Sequence, residues 1–105
     1  MKLRYLPLSL AVWSLSAWAT TDQNRTVNQL GVQQSGSSMG AYFSVVEGLS
    51  FSCPSNLIYL DLTTDFGRAA YAQLLAAKSA GRLLSRIDYS VSAGVCALSL
   101  VELQN

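Results

Sequence analysis

The spacing of apolar residues changes once, and sharply, between residues 67 and 91. In the first half, Tyr71, Leu74 and Leu75 recur at intervals of three and four residues, which is typical of one face of a short helix. Gly81 then supplies a residue that tolerates the left-handed backbone of a helix end. Beyond it apolar residues fall mainly on alternate positions, which indicates a β-strand. The chain must therefore fold into an architecture in which a short helix leads directly into a strand.

The start of this helix is also marked in the sequence. Thr63, Thr64 and Asp65 are three successive residues whose side chains favour the first position of a helix. Gly67 lies one turn before Tyr71 and has no side chain, so it predicts a close approach of the helix to a sheet. We expect the helix to pack on strands through the narrow stripe that Tyr71 begins.

Short apolar runs and alternating patterns predict five β-strands, three before the helix and two after it. In the fourth strand, Leu83, Ile87 and Tyr89 are expected on the core side. The polar stretch 20–26 predicts a loosely held N-terminal arm. The predicted strands cover residues 27–33, 39–47, 57–62, 83–91 and 95–103.

The order β-β-β-α-β-β, mainly β with one helix, is that of a small OB-like barrel. In such a barrel the helix closes one open end, which requires an apolar stripe only two helical turns long. The alternative is an α+β sandwich, in which the helix lies across one face of a sheet.

Residues 1–19 predict a secretory signal peptide. A basic start is followed by the apolar run 6–17 and by the small-residue triplet Ala17-Trp18-Ala19. The apolar run is shorter than the roughly 20 residues that a membrane-spanning helix needs. We therefore expect cleavage after Ala19, a secreted or periplasmic location without membrane attachment, and a single domain at 20–105.

The two cysteines of the chain, Cys53 and Cys96, are far apart in sequence. In an exported protein such a pair predicts one disulfide. It closes a loop of about 40 residues, which contributes about 3–4 kcal/mol in the chain-entropy account. Redox-active thiols are the alternative, but they favour a C-x-x-C spacing that the chain lacks.

The composition argues against several kinds of chemistry. The chain has no histidine, the commonest general base and metal ligand. Residues 20–105 carry five basic and six acidic side chains, a balance of 5 − 6 = −1, which disfavours nucleic acid as a partner. Asp61 and Asp65 favour the helix start rather than a metal site. Glu47, Asp88 and Glu102 leave a carboxylate-only hydrolase as the weakest alternative. We expect no cofactor, no metal and no catalytic site.

Four tyrosines are better candidates for a function, because the ring packs against sugars or peptides while the hydroxyl forms hydrogen bonds: Tyr42, Tyr59, Tyr71 and Tyr89. Tyr71 and Tyr89 lie on the predicted core sides of the helix and the fourth strand. Tyr42 lies opposite Phe43 on the second strand, close to a serine-rich loop. The candidate binding residues are Ser37, Ser38, Tyr42 and Ser44.

Two segments resemble exported bacterial proteins. The segment RAAYAQLLAAKSAGRLLSRIDYS at 68–90 is similar to one in pentameric B subunits of the subtilase-cytotoxin and typhoid-toxin type, where a tyrosine-bearing helix ends in a glycine and leads into a strand. The ending GVCALSLVEL at 94–103 is similar to a late cysteine-bearing strand in small exported proteins. The resemblance covers 57–103 and implies an OB-type fold, export, ring assembly and glycan binding. The chain is shorter than those subunits, and no sugar-binding residue can be carried over.

These observations predict an exported, non-enzymatic binding module, similar to a toxin B subunit, that recognises a glycan or a protein and forms a homo-oligomer. The alternative function is that of a periplasmic structural or inhibitory protein whose ligand is a partner protein.

Overall fold

The computed structural model describes residues 19–104. The predicted signal peptide, except for its last residue, lies outside the described residues. The described chain forms six strands, one α-helix and a 3-10 turn at Pro54–Asn56. The elements are β1 (Thr20–Arg25), β2 (Val27–Ser35), β3 (Ser38–Val45), β4 (Ile58–Asp61), α1 (Asp65–Ala80), β5 (Leu84–Ser92) and β6 (Val95–Leu103).

The strands form one sheet in the order β1-β5-β6-β4-β3-β2. Neighbouring strands are antiparallel except β4 and β6, which are parallel. The two outermost strands, β1 and β2, are consecutive in the chain and are separated only by Thr26. The sheet therefore curls round until its ends meet at this bend, where the Thr26 carbonyl accepts a hydrogen bond of 2.9 Å from the amide of Val46. This closed sheet with one helix is an OB-like fold, as predicted, and not the sandwich.

The predicted N-terminal arm is wrong, because residues 20–25 form strand β1 paired with β5. Its side chains are polar, so no apolar alternation reveals it. Polar partners hold it instead. Thr21 donates to the carboxylate of Asp88 at 2.8 Å, and Asp22 is buried beneath the loop after β3. A strand stabilised by such bonds leaves no hydrophobic signal in the sequence.

The core lies between the inner faces of the strands and the helix. The largest fully buried side chains are those of Phe43, Ile58, Leu74, Leu84, Ile87, Tyr89 and Cys96. Leu84, rather than the predicted Leu83, faces the core at the start of β5. The pairing of β5 with β6 shifts register between Leu84 and Arg86, and such an irregularity moves side chains from one face to the other.

Helix α1 begins and ends as the sequence predicts. Thr64 is the N-cap, and its hydroxyl accepts a hydrogen bond from the amide of Gly67. A Cβ atom on Gly67 would overlap the Asp61 carbonyl, so the helix approaches β4 as closely as expected. Gly81 ends the helix with φ of 66°, in the left-handed region.

The predicted disulfide is present. Cys53 and Cys96 are joined with an S–S distance of 2.05 Å, and both are buried. The bond ties the loop between β3 and β4 to the beginning of β6. Within the described residues, no helix is long and apolar enough to cross a membrane.

Candidate functional site

The outward surface of β2, β3 and β4 carries aromatic and polar side chains in adjacent rows. The pairing of the strands aligns Gly31, Tyr42 and Tyr59 in one row and Gln33, Gly40 and Asp61 in the next. Ala41, Phe43 and Leu60 alternate with them and are buried, so both rows face away from the core. We use the name tyrosine patch for the surface formed by Gln33, Ser38, Gly40, Tyr42, Tyr59 and Asp61.

Tyr42 and Tyr59 form an aromatic pair at the centre of the tyrosine patch. Their ring centroids are 6.1 Å apart and the ring planes are inclined by 47°. Both side chains are half-buried. Within residues 19–104 neither hydroxyl donates or accepts a hydrogen bond with another side chain or backbone group. The pair therefore offers two ring surfaces and two hydroxyl groups to a ligand.

The Tyr42 ring lies across Gly31 on the neighbouring strand. A Cβ atom on Gly31 would be 2.5 Å from both Cζ and Oη of Tyr42. The missing side chain of Gly31 therefore gives the ring the space in which it rests. An aromatic ring over a cross-strand glycine is a recognised way of covering the exposed backbone.

A shallow cleft of about 230 Å³ lies at the row of Gln33, Gly40 and Asp61, next to the row that carries the two tyrosines. It opens above Gly40, which lacks a side chain, and the half-exposed Met39 forms part of its wall. Gly40 and Asp61 are each two residues from a tyrosine along a strand, a separation of roughly 7 Å. The residues that line the cleft are Gln33, Ser35, Ser38, Met39, Gly40 and Asp61.

Asp61 gives the cleft a negative charge. Its Oδ1 atom accepts hydrogen bonds from the Thr63 amide at 2.9 Å and the Thr63 hydroxyl at 2.6 Å. These bonds lower the pKa of Asp61 below its ordinary value, so the carboxylate is ionised at neutral pH. The carboxylate, the Gln33 amide and the Ser38 hydroxyl together supply acceptors and donors beside an aromatic surface.

Of the four residues predicted to bind a ligand, two belong to the tyrosine patch and two lie outside it. Tyr42 is at the centre of the tyrosine patch and Ser38 is at the edge of its cleft. Ser37 is exposed in the two-residue turn that joins β2 to β3. Ser44 is buried, and its hydroxyl accepts a hydrogen bond of 3.3 Å from the amide of Gln29.

Four residues of the tyrosine patch are not among the candidate binding residues that the sequence predicts: Gln33, Gly40, Tyr59 and Asp61. Tyr59 belongs to a recognised strand, but the register that places it beside Tyr42 depends on tertiary pairing. For Asp61, the sequence predicts a residue that favours the helix start, with a metal ligand as the alternative. Within residues 19–104, no three histidine, cysteine, aspartate or glutamate side chains are grouped as a metal site would require.

Tyr89 and three acidic residues outside the tyrosine patch have structural partners. Tyr89 is fully buried, as predicted, and donates to Asp22 at 2.7 Å. Glu47 accepts from the amide and the hydroxyl of Thr26 at the bend between β1 and β2. Asp88 accepts from Arg86 and Thr21, and Glu102 accepts from Ser85.

The described residues thus form a small OB-like barrel whose outer surface carries a patch of aromatic and polar side chains. No protein-family model matches the chain, and no curated protein matches it. Among solved structures, it is similar to a cholera toxin-like B-subunit from Citrobacter freundii. The TM-score is 0.62 at 13% sequence identity, and the alignment covers 87% of this chain and 90% of that one.

The similarity confirms the predicted resemblance to toxin B subunits at the level of the fold. The matched subunit is described as cholera toxin-like, whereas the sequence pattern pointed to the subtilase-cytotoxin and typhoid-toxin type. At 13% sequence identity the comparison shows similarity of fold alone.

Proposed function

We propose that the chain is an exported, non-enzymatic binding module that recognises a glycan through the tyrosine patch. The observation that carries this proposal is the Tyr42–Tyr59 pair next to a cleft that Gln33, Ser38 and Asp61 help to line. Sugar rings have an apolar face that packs on an aromatic ring, and their hydroxyl groups need donors and acceptors at its edge. The tyrosine patch supplies both on adjacent rows of one sheet.

The test is a glycan array probed with the protein comprising residues 20–105. We expect binding to at least one glycan, and a loss of ten-fold or more in affinity for Tyr42→Ala and for Tyr59→Ala. The phenylalanine variants Tyr42→Phe and Tyr59→Phe remove only the hydroxyl groups. Tyr71→Phe is their matched control, because Tyr71 is also half-buried but lies on helix α1. Unchanged binding in both alanine variants would contradict the proposal.

Export is part of the same proposal. It rests on the predicted signal peptide and is supported by the buried disulfide, which persists in an oxidising compartment. Expression of the full sequence in a bacterium is expected to yield an exported protein whose N-terminus is Thr20. Recovery of the uncleaved chain inside the cell alone would be evidence against export.

Assembly with further copies of the chain is the third part of the proposal. The exposed apolar side chains of Val32 and Leu75, on β2 and α1, are available for such a contact, because burying apolar surface is favourable. Light scattering coupled to gel filtration should give a mass that is a multiple of the protomer mass. A monomer at micromolar concentration would count against assembly.

The second candidate is a protein partner. It is favoured by Val46 and Phe51, which are 65% and 40% exposed in the loop between β3 and β4. The loop is fixed by the Cys53–Cys96 bond, so that Phe51 is presented in a defined position, as aromatic anchors at interfaces are. A partner recovered by the parent protein and lost with Phe51→Ala, with glycan binding absent in both, would favour this candidate.

A further inference from the structure

The charge at the tyrosine patch restricts the kind of glycan that it can accept, provided that the patch is the proposed glycan site. Asp61 is exposed at the cleft and its carboxylate retains one oxygen, Oδ2, that no group within residues 19–104 contacts by a hydrogen bond. Gln33 and Ser38 are uncharged. A sugar bound here therefore meets a negative charge and neutral polar groups.

None of the basic side chains of residues 19–104 forms an ion pair with Asp61 or lines the cleft. Each of the five is hydrogen-bonded elsewhere within the chain. Arg68 is the nearest to Asp61 along the sequence, and its guanidinium binds the Leu62 carbonyl and the Asp65 carboxylate at the start of α1. The five are Arg25, Arg68, Lys78, Arg82 and Arg86.

The size of the cleft gives a second restriction. Its volume of about 230 Å³ is below the roughly 300–1,000 Å³ typical of pockets for drug-sized ligands. A cleft of this size holds one sugar ring rather than an extended chain. Because it is open to solvent on the outer face of the sheet, the rest of a glycan can extend away from it.

We infer that the tyrosine patch binds the terminal, uncharged sugar of a glycan. The apolar face of the sugar packs on the Tyr42 and Tyr59 rings, and its hydroxyl groups donate to Asp61. Gln33 and Ser38 supply the remaining hydrogen bonds. Glycans that end in a carboxylate or a sulfate are excluded, because their charge is repelled by Asp61 and finds no cation in the patch.

The experiment is an array of neutral glycans, each printed beside the same glycan capped with sialic acid or sulfate. Lactose and 3′-sialyllactose are one such pair. The bound glycans are expected to be neutral, and capping is expected to reduce binding at least ten-fold. Preferential binding to the capped members would overturn this inference while leaving glycan binding itself in place. Binding to no glycan at all would overturn both.

Two variants connect the preference to Asp61. Asp61→Asn removes the charge but keeps the shape, so the ratio of neutral to acidic binding should fall at least three-fold. Asp65→Asn is the matched control, because it removes a carboxylate from the same end of α1 but outside the tyrosine patch. Thermal unfolding of both variants checks that the helix start is intact. An equal change of the ratio in both variants would contradict a specific effect of Asp61.

Discussion

Gly31 faces the Tyr42 ring across β2 and β3, and the ring occupies the space that a side chain would need. Gly31→Ala would place a methyl group 2.5 Å from Cζ of Tyr42, and the ring must swing aside. Because the ring is at the surface, we expect glycan affinity to fall about ten-fold, or ~1.4 kcal/mol, while the free energy of unfolding changes by less than about 1 kcal/mol. Calorimetric titration and thermal unfolding measure the two effects.

A double-mutant cycle separates this mechanism from a general disturbance of β2. In a Tyr42→Ala background, the Gly31→Ala change has no ring to displace and should have no further effect on affinity. An additive loss in the double variant would show that Gly31 acts by another route.

Tyr89 donates to the buried carboxylate of Asp22 at 2.7 Å and accepts from the amide of Phe51 at 3.2 Å. Tyr89→Phe removes both bonds and leaves buried polar groups without partners. We expect a loss of about 1–3 kcal/mol in the free energy of unfolding, measured by urea denaturation. Tyr71→Phe, at a half-buried site on α1, should change it by less than about 0.5 kcal/mol. Equal effects of the two substitutions would contradict a special role for the Tyr89 hydroxyl.

Binding residues could be predicted from the sequence where they lie close together in the chain, and not where strand pairing brings them together. Tyr42 and Ser38 were found because they lie within a few residues of one another, beside a recognisable turn. Tyr59 has the same chemistry but was not selected as a binding residue, because its place beside Tyr42 depends on how β3 pairs with β4, and no local pattern encodes that register.

At the scale of elements, β1 is held to the barrel largely through carboxylates. Burial raises the pKa of Asp22, but hydrogen bonds from Ser50 and Tyr89 outweigh this and the net pKa lies below the ordinary value. Burial likewise raises the pKa of Glu47, and the bonds from Thr26 bring it below normal. The hydrogen bond from Arg86 is the main cause that lowers the pKa of Asp88, with a further contribution from Thr21.

We expect β1 to be lost first on acidification. A carboxylate whose folded pKa is lowered stabilises the fold above its unfolded pKa, and this stability disappears as the pH falls through the folded value. The ordinary values are 3.8 for Asp22 and Asp88 and 4.5 for Glu47, so stability should be constant above about pH 6 and fall below about pH 4. Hydrogen exchange should show that amides of β1 lose protection before those of β6.

Two variants test the prediction that β1 is lost first on acidification. Asp22→Asn should reduce the slope of stability against pH, since one of the three titrating groups is then absent. Asp65→Asn is the control, because that side chain lies at the start of α1, away from β1. Loss of protection in β1 and β6 at the same pH would show that the barrel opens as one unit.

The sequence predicts helix α1 well and strand β1 not at all. Helix α1 was recognised with both ends, because Thr64 and Gly81 determine its ends by local chemistry. Strand β1 was missed, because its burial involves a carboxylate and a distant tyrosine hydroxyl rather than apolar alternation. Sequence patterns report local propensity and apolar periodicity, and β1 has neither.

At the scale of the whole molecule, the OB-like barrel and the disulfide could be predicted from the sequence, whereas the way in which the sheet closes could not. Closure requires the single-residue bend at Thr26, which is fixed by Glu47 from the end of β3. The tyrosine patch depends on this global arrangement, because its residues come from three strands. A fold class can therefore be predicted where a surface built across strands cannot.

The Cys53–Cys96 bond reinforces the pair of neighbouring strands that share the fewest residue pairs. Strands β4 and β6 share only the pairs Ile58 with Cys96 and Tyr59 with Ala97. The bond joins residues separated by 43 positions, so its loss should cost about 3–4 kcal/mol through the entropy of the unfolded chain. Replacing both cysteines by alanine is therefore expected to lower the urea midpoint, and also to weaken glycan binding because Tyr59 lies at this junction. A variant that keeps the parent's midpoint and affinity would show that β4 and β6 hold together without the bond.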